Sequence, residues 1–175
     1  RNFERFKRDI MAIPSLVLEP YLKQWILVEN AVDDTLPNPL NAEGKIRADF
    51  KGKPGREYFI HIDLSLVTDC TGFAMCHEEG GKVVLDLAMR IKPPKGGEID
   101  LSEIKGLVLG LKAQGFSIRK VTFDQFQSAS SIQELNKLGF NAEKFSLDRD
   151  LAGYETLKDV IYTGKFKMCR YQPLL

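Results

Sequence analysis

From residue 58 onward the apolar and polar positions follow two distinct periods. Over residues 58–66 they alternate: Ile60, Ile62, Leu64 and Leu66 fall on one side, and Phe59, His61, Asp63 and Ser65 on the other. That is the pattern of a strand with one buried face. Residues 71–77 and 82–91 read as two further strands, joined through Glu78-Glu79-Gly80-Gly81 by a hairpin. The period then lengthens. Leu101, Ile104, Leu107, Val108 and Leu111 recur at helical spacing behind Asp100, which with Glu103 fits an aspartate version of the capping box, and Gly115 closes the helix. Residues 117–123 form a short strand that ends at Asp124. Ser131 and Glu134 predict the start of a second helix, stopped by Gly139. Residues 141–146 read as another strand. Leu151, Tyr154, Leu157 and Ile161 mark a third helix, capped near Asp148 and closed by Gly164, and residues 165–171 are extended. The order β-β-β-α-β-α-β-α predicts an α/β fold: a mixed central sheet, three antiparallel strands and then parallel ones, with helices on both faces.

The first 55 residues read differently. Phe3, Phe6, Ile10 and Met11 recur at helical spacing among Arg1, Arg5, Lys7 and Arg8, up to Pro14. Residues 33–55 carry Pro37, Pro39, Gly44, Gly52, Pro54 and Gly55, too many breakers for a long element. Residues 1–55 are therefore read as an arm or linker and residues 56–175 as the main domain. A length of 175 residues suits one domain, and 43% hydrophobic residues suffice for a core, which excludes a disordered chain. The formal charge of +1 assigns any contact with nucleic acid to local patches. No apolar run approaches the ~20 residues that span a bilayer, and the N-terminus lacks a signal-peptide pattern, so no membrane partner is expected. Three cysteines, none in C-x-x-C, fit a reducing, cytosol-like compartment. A start at Arg1 instead of Met raises the expectation of a longer parent protein.

Candidate chemistry centres on acids. Asp63 sits inside an apolar strand, where an unpaired carboxylate costs several kcal/mol to desolvate, so its face must meet something polar. Asp124 follows Val121-Thr122-Phe123 at the carboxyl end of a strand, where functional side chains of α/β sheets collect. If the two strands are parallel neighbours, the carboxylates face each other across one strand spacing, ~5 Å. A hard divalent cation, Mg²⁺ or Mn²⁺, relieves that repulsion through oxygen ligands. Taken alone, Asp124 also reads as a cap or turn residue. Asp69 reads either as a turn aspartate or as an outer carboxylate that orients water near a metal.

These residues also resemble a known family. Tyr58-Phe59-Ile60-His61-Ile62-Asp63-Leu64-Ser65, followed by Asp69 and Thr71-Gly72-Phe73-Ala74, is similar to the first acidic motif of the nuclease domain in large terminase subunits of tailed bacteriophages. Thr122-Phe123-Asp124-Gln125-Phe126-Gln127-Ser128, with Ile132-Gln133-Glu134-Leu135 and Gly139-Phe140, resembles the second, and Ser146-Leu147-Asp148 also looks like that family. The resemblance runs from about Tyr58 to Tyr171, and residues 1–14 are similar to the segment joining the packaging ATPase to the nuclease. It implies an RNase H-like (resolvase/integrase-type) fold and a metal-dependent endonuclease that cuts concatemeric viral DNA by two-metal-ion hydrolysis. Asp63 and Asp124 would then be catalytic metal ligands and Asp69 an accessory acid, with two Mg²⁺ or Mn²⁺ ions as cofactor. The implied partners are double-stranded DNA, the ATPase domain of the same protein, the portal and the small terminase subunit, in the host cytoplasm. The family's further acidic ligand follows one more helix, a region beyond Leu175.

Backbone contacts to DNA need only lysines and arginines, for which Arg90, Lys92, Lys95, Lys144 and Arg149 are the candidates, with plain solvated surface as the alternative. His61 and His77 stand at no metal-ligand spacing and read as structural or surface residues. Ser128, Ser130 and Ser131 read as caps, and no G-x-x-x-x-G-K-[ST] is present. Three rival readings stay open: a non-catalytic docking or DNA-binding module on the same scaffold, a resolvase-type nuclease, and an actin-like ATPase.

Overall fold

The computed structural model describes residues 21–65, 69–124, 128–146 and 151–174. The amphipathic stretch before Pro14 lies outside them. A six-stranded sheet organises the described residues: β1 (Glu57–Asp63), β2 (Thr71–Glu79), β3 (Lys82–Ile91), β4 (Ser117–Phe123), β5 (Ala142–Lys144) and β6 (Phe166–Met168). Its order is β5-β4-β1-β2-β3-β6. β2 runs antiparallel to β1 and β3, whereas β4 is parallel to β1, β5 to β4 and β6 to β3. The carboxyl ends of β1, β3, β4, β5 and β6 therefore share one edge. Four α-helices are described: α1 (Trp25–Asn30), α2 (Leu101–Ala113), α3 (Ala129–Lys137) and α4 (Ala152–Tyr162).

The period-2 face of β1 does what its pattern demands. Tyr58, Ile60 and Ile62 are buried, and with Phe73, Met75, Leu87, Val121 and Phe123 they pack under Ile104, Val108 and Leu111 of α2 and Leu135 of α3. Each such side chain contributes about 1.5–3 kcal/mol on burial, so this layer holds the fold. The opposite face carries a smaller cluster at the β3–β6 end, where Val28 of α1 and Ile161 of α4 meet Leu85, Phe166 and Met168. Leu85 pairs with Cys76 and Leu87 with Met75, consecutive residues of β2, so the two clusters lie on opposite faces. Helices cover both faces.

The hairpin between β2 and β3 turns on Gly80 and Gly81 alone, both at positive φ (59° and 74°), the backbone of a two-residue primed turn. Other boundaries depart from the expected ones. Asp100 caps α2 through the amide of Ser102 (2.8 Å), one position short of a capping box. The second helix begins at Ala129 behind Ser128, so Ser131 is a buried residue inside α3 and Glu134 pairs with Lys105 (2.5 Å). The apolar stripe of α4 buries only Ile161, because the helix packs at the sheet's end against α1 and turns Leu151, Tyr154 and Leu157 outward. The third-helix cap near Asp148 lies outside the described residues.

Residues 22–53 lie against the domain. Asp33 accepts from Thr35 and Lys167, which hold its carboxyl down to about 2. Phe50 packs tilted against Phe116, and Phe116 meets Tyr58 edge-to-face, each at 4.8 Å between ring centroids. Next to them Gly52 donates to the Gln114 carbonyl (3.1 Å), so close to the turn after α2 that a Cβ there would overlap the Gly115 carbonyl.

Candidate acid site on the sheet edge

The sheet register decides how the acids meet. Ile62 of β1 pairs with Phe123 of β4, and the Asp124 amide donates to the Ile62 carbonyl (3.2 Å), extending the ladder one step. Asp63 and Asp124 are thus neighbours on adjacent parallel strands, about one strand spacing (~4.8 Å) apart. Ile62 and Phe123 are fully buried on the α2–α3 face, so the next residue on each strand emerges on the opposite face at the shared carboxyl edge. Asp63 is exposed and Asp124 half-buried.

Asp69 is exposed in the connection from β1 to β2. The neck of that connection is pinched by Thr71, whose hydroxyl accepts from the Ser65 amide and donates to the Ser65 carbonyl (both 3.1 Å), and the Asp69 amide donates to Ser65 Oγ (3.2 Å). Asp69 therefore belongs to the same edge of the sheet as the acid pair. Among the described residues no group of three or more His, Cys, Asp or Glu is arranged to hold a metal ion. Two adjacent carboxylates nevertheless fit a Mg²⁺-type ion, which takes one or two carboxylates and completes its shell with water and substrate phosphate.

Beside Asp63 a groove of about 290 Å³ runs across β2 and β3, bounded by His61, Arg90, Tyr171 and Leu174. Its floor is low because Gly72, Ala74 and Ala88 carry little or no side chain on that face. Asp63 pairs with Gly72 and Gly72 with Arg90, so Arg90 stands two strands from Asp63 at the same level of the sheet. Arg47, Arg56, Arg119 and Arg170 all have acidic partners, and Arg90 is the one arginine among the described residues without one. Lys92 and Lys95 follow β3 at the same edge and are exposed; Lys144, opposite Phe123 at the end of β5, flanks the acids on the other side. Arg149 lies outside the described residues.

His61 is not a bystander on this face. Its Nδ1 meets Thr122 Oγ1 (2.8 Å), and burial lowers its pKa while Asp124 and Asp63 pull the other way. Periodicity marked only its face. The small residues at Gly72, Ala74 and Ala88 were the available sign of a groove, since alternate small positions on one sheet face leave room. His77 is structural: it is buried, with Nδ1 on Asp86 (2.6 Å) and Nε2 on Arg56 (3.0 Å). Burial raises the Asp86 carboxyl and pushes the Cys76 thiol up to about 11, and the three cysteines are free thiols. Among the described residues no helix is long and apolar enough to cross a membrane.

Comparison with protein-family models gives no match, and comparison with curated protein sequences gives none. Solved structures do match. The large terminase nuclease from thermophilic phage G20c with bound magnesium is similar over 85% of this chain and 74% of its own, at TM-score 0.60 and 14% identity. The HK97 bacteriophage large terminase matches 85% of this chain at TM-score 0.59 and 14% identity, and the large terminase of another thermophilic bacteriophage 69% at 0.57 and 15%. The chain spans 34% and 30% of those two longer proteins. At such identities the likeness establishes the fold, which is that of the large terminase nuclease domain, RNase H-like.

Proposed function

We propose that this chain is the nuclease domain of a phage large terminase, an endonuclease that cuts concatemeric double-stranded viral DNA during packaging and depends on Mg²⁺ or Mn²⁺. The observation that carries the reading is the adjacency of Asp63 and Asp124 at the carboxyl edge of two parallel strands. The fold likeness supports it, as does the magnesium bound by the similar G20c nuclease.

Asp63 and Asp124 would hold the cation, with Asp69 as an accessory carboxylate at the rim. Divalent ions, two in this reading, supply an activated water and charge stabilisation at the leaving oxygen of a phosphodiester. The chain's own part is orientation. Arg90, which has no acidic partner among the described residues, offers a bidentate fork to a phosphate in the groove. Lys92 and Lys95 on one side and Lys144 on the other extend a backbone-reading track that takes no sequence information. As part of a longer motor protein the domain would act beside a packaging ATPase, the portal and the small terminase subunit in the host cytoplasm.

The test is a supercoiled plasmid incubated with the protein in Mn²⁺, in Mg²⁺ and in EDTA. Nicking and linearisation in the metal-containing reactions only, abolished by Asp63→Asn and by Asp124→Asn, is the expected result. Undiminished cutting in EDTA overturns metal dependence, and wild-type cutting by Asp63→Asn overturns the site.

A further inference from the structure

One polar side chain on the acid face has no part in the chemistry above. His61 lies two residues before Asp63 on the same face of β1 and directly opposite Thr122 of β4. The Thr122 hydroxyl has a single proton and two acceptors within reach, the Ile60 carbonyl (3.2 Å) and, in one tautomer, His61 Nδ1 (2.8 Å). The carbonyl can only accept, whereas Nδ1 can also donate, so both contacts are satisfied together when the hydroxyl proton goes to Ile60 and Nδ1 carries the proton shared with Thr122. A neutral imidazole with Nδ1–H carries its free lone pair on Nε2. That nitrogen makes no hydrogen bond among the described residues, yet no buried side-chain nitrogen or oxygen lacks a partner there, so Nε2 opens to solvent. Its surroundings are the groove it shares with Asp63 and Arg90.

We infer that His61 is a positioning residue of the acid site: Thr122 fixes its tautomer, and Nε2 accepts a hydrogen bond from a water held in the groove beside Asp63. The inference rests on the nuclease reading above. The groove then presents three complementary functions side by side: a carboxylate, a guanidinium donor for phosphate and a neutral nitrogen acceptor. A carboxylate in place of His61 would add a charge to an already acidic edge. The imidazole adds an acceptor without one.

The first test needs no activity and no metal. In ¹⁵N-labelled, metal-free protein at pH 8, above the ordinary histidine value of about 6.5, His61 is expected to show a protonated, pyrrole-type Nδ1 and an unprotonated Nε2. An Nε2–H tautomer overturns the proposal. Thr122→Val, which keeps the shape and removes the hydroxyl, should lose the fixed tautomer, and Thr122→Ser should keep it.

The second test separates acceptor from strand pin. Asparagine places its amide near Nδ1 and can still donate to Thr122 but offers nothing at Nε2; glutamine reaches the Nε2 position and can accept there. In the plasmid assay with Mn²⁺, His61→Asn should lower kcat about tenfold at unchanged KM, the effect of one ordering hydrogen bond. His61→Gln should stay within about threefold of wild type. The reverse order, or equal loss in both, overturns the role of Nε2. An inactive Asp63→Asn beside fully active His61 variants removes this inference alone, whereas an active Asp63→Asn removes the nuclease reading and this inference with it.

Discussion

Asp63→Asn should change the sign of its effect with the metal. Asp63 and Asp124 are carried about one strand spacing (~5 Å) apart, and because Asp63 is exposed a water-like dielectric applies, so without a cation carboxylates at that separation repel by about 1 kcal/mol. Asparagine keeps the shape and removes that repulsion, so in EDTA the variant should be more stable than wild type by up to about 1 kcal/mol. A cation that binds only the folded pair, at a hundredfold excess over its dissociation constant, stabilises wild type by about 2.7 kcal/mol. Wild type should then overtake the variant by roughly 2 kcal/mol in Mn²⁺. Urea unfolding of both proteins in EDTA and over a Mn²⁺ series measures the crossing. An equal Mn²⁺ shift in the two proteins would refute the reasoning, since the cation would then bind elsewhere. A variant less stable than wild type in EDTA would show that Asp63 makes a favourable contact that outweighs the repulsion.

Three further outcomes follow from the geometry. Gly52→Ala should cost about 2–4 kcal/mol in chemical denaturation, because its Cβ would overlap the Gly115 carbonyl and the turn after α2 would have to shift; a loss under ~0.5 kcal/mol would disprove that tight contact. Asp86→Asn should be neutral or stabilising by about 1 kcal/mol at pH 7, since asparagine still accepts from His77 without a buried charge. Burial raises the Asp86 carboxyl, so the folded state holds its proton at pH values where the unfolded chain has released it. Wild-type stability relative to this variant should therefore fall as pH rises from the ordinary carboxylate value through the raised one and then level off; a flat difference contradicts the shift. Arg90→Ala should weaken DNA binding several-fold and lower the salt slope by about one without changing stability; an unaltered slope would place Arg90 off the phosphate track.

The strand and helix order was legible in residues 57–168 because each element has one buried face, and burial imposes its period on the sequence. β3 and β4 have the expected limits, and the apolar side of β1 is the buried one. Caps were less legible: a carboxylate three residues before another acid suggests a capping box, yet Asp100 found the Ser102 amide, and Ser131 was drawn inside α3 by its place against the core. Six-residue α1 carries no cap signal, and the outward turn of Leu151, Tyr154 and Leu157 depends on where α4 meets the sheet's end.

The sequence by itself determined which residue types lie on which face, including that Asp63 and His61 share one and that Asp124 closes a strand. Only the tertiary structure decided that the acids are neighbours, because pairing β1 with β4 and not with an edge strand is a property of sheet order, and Asp63 and Asp124 are far apart along the chain. The same holds for the groove and for the contact between His61 and Thr122. Each depends on side chains from different strands meeting at one level, which no local period encodes.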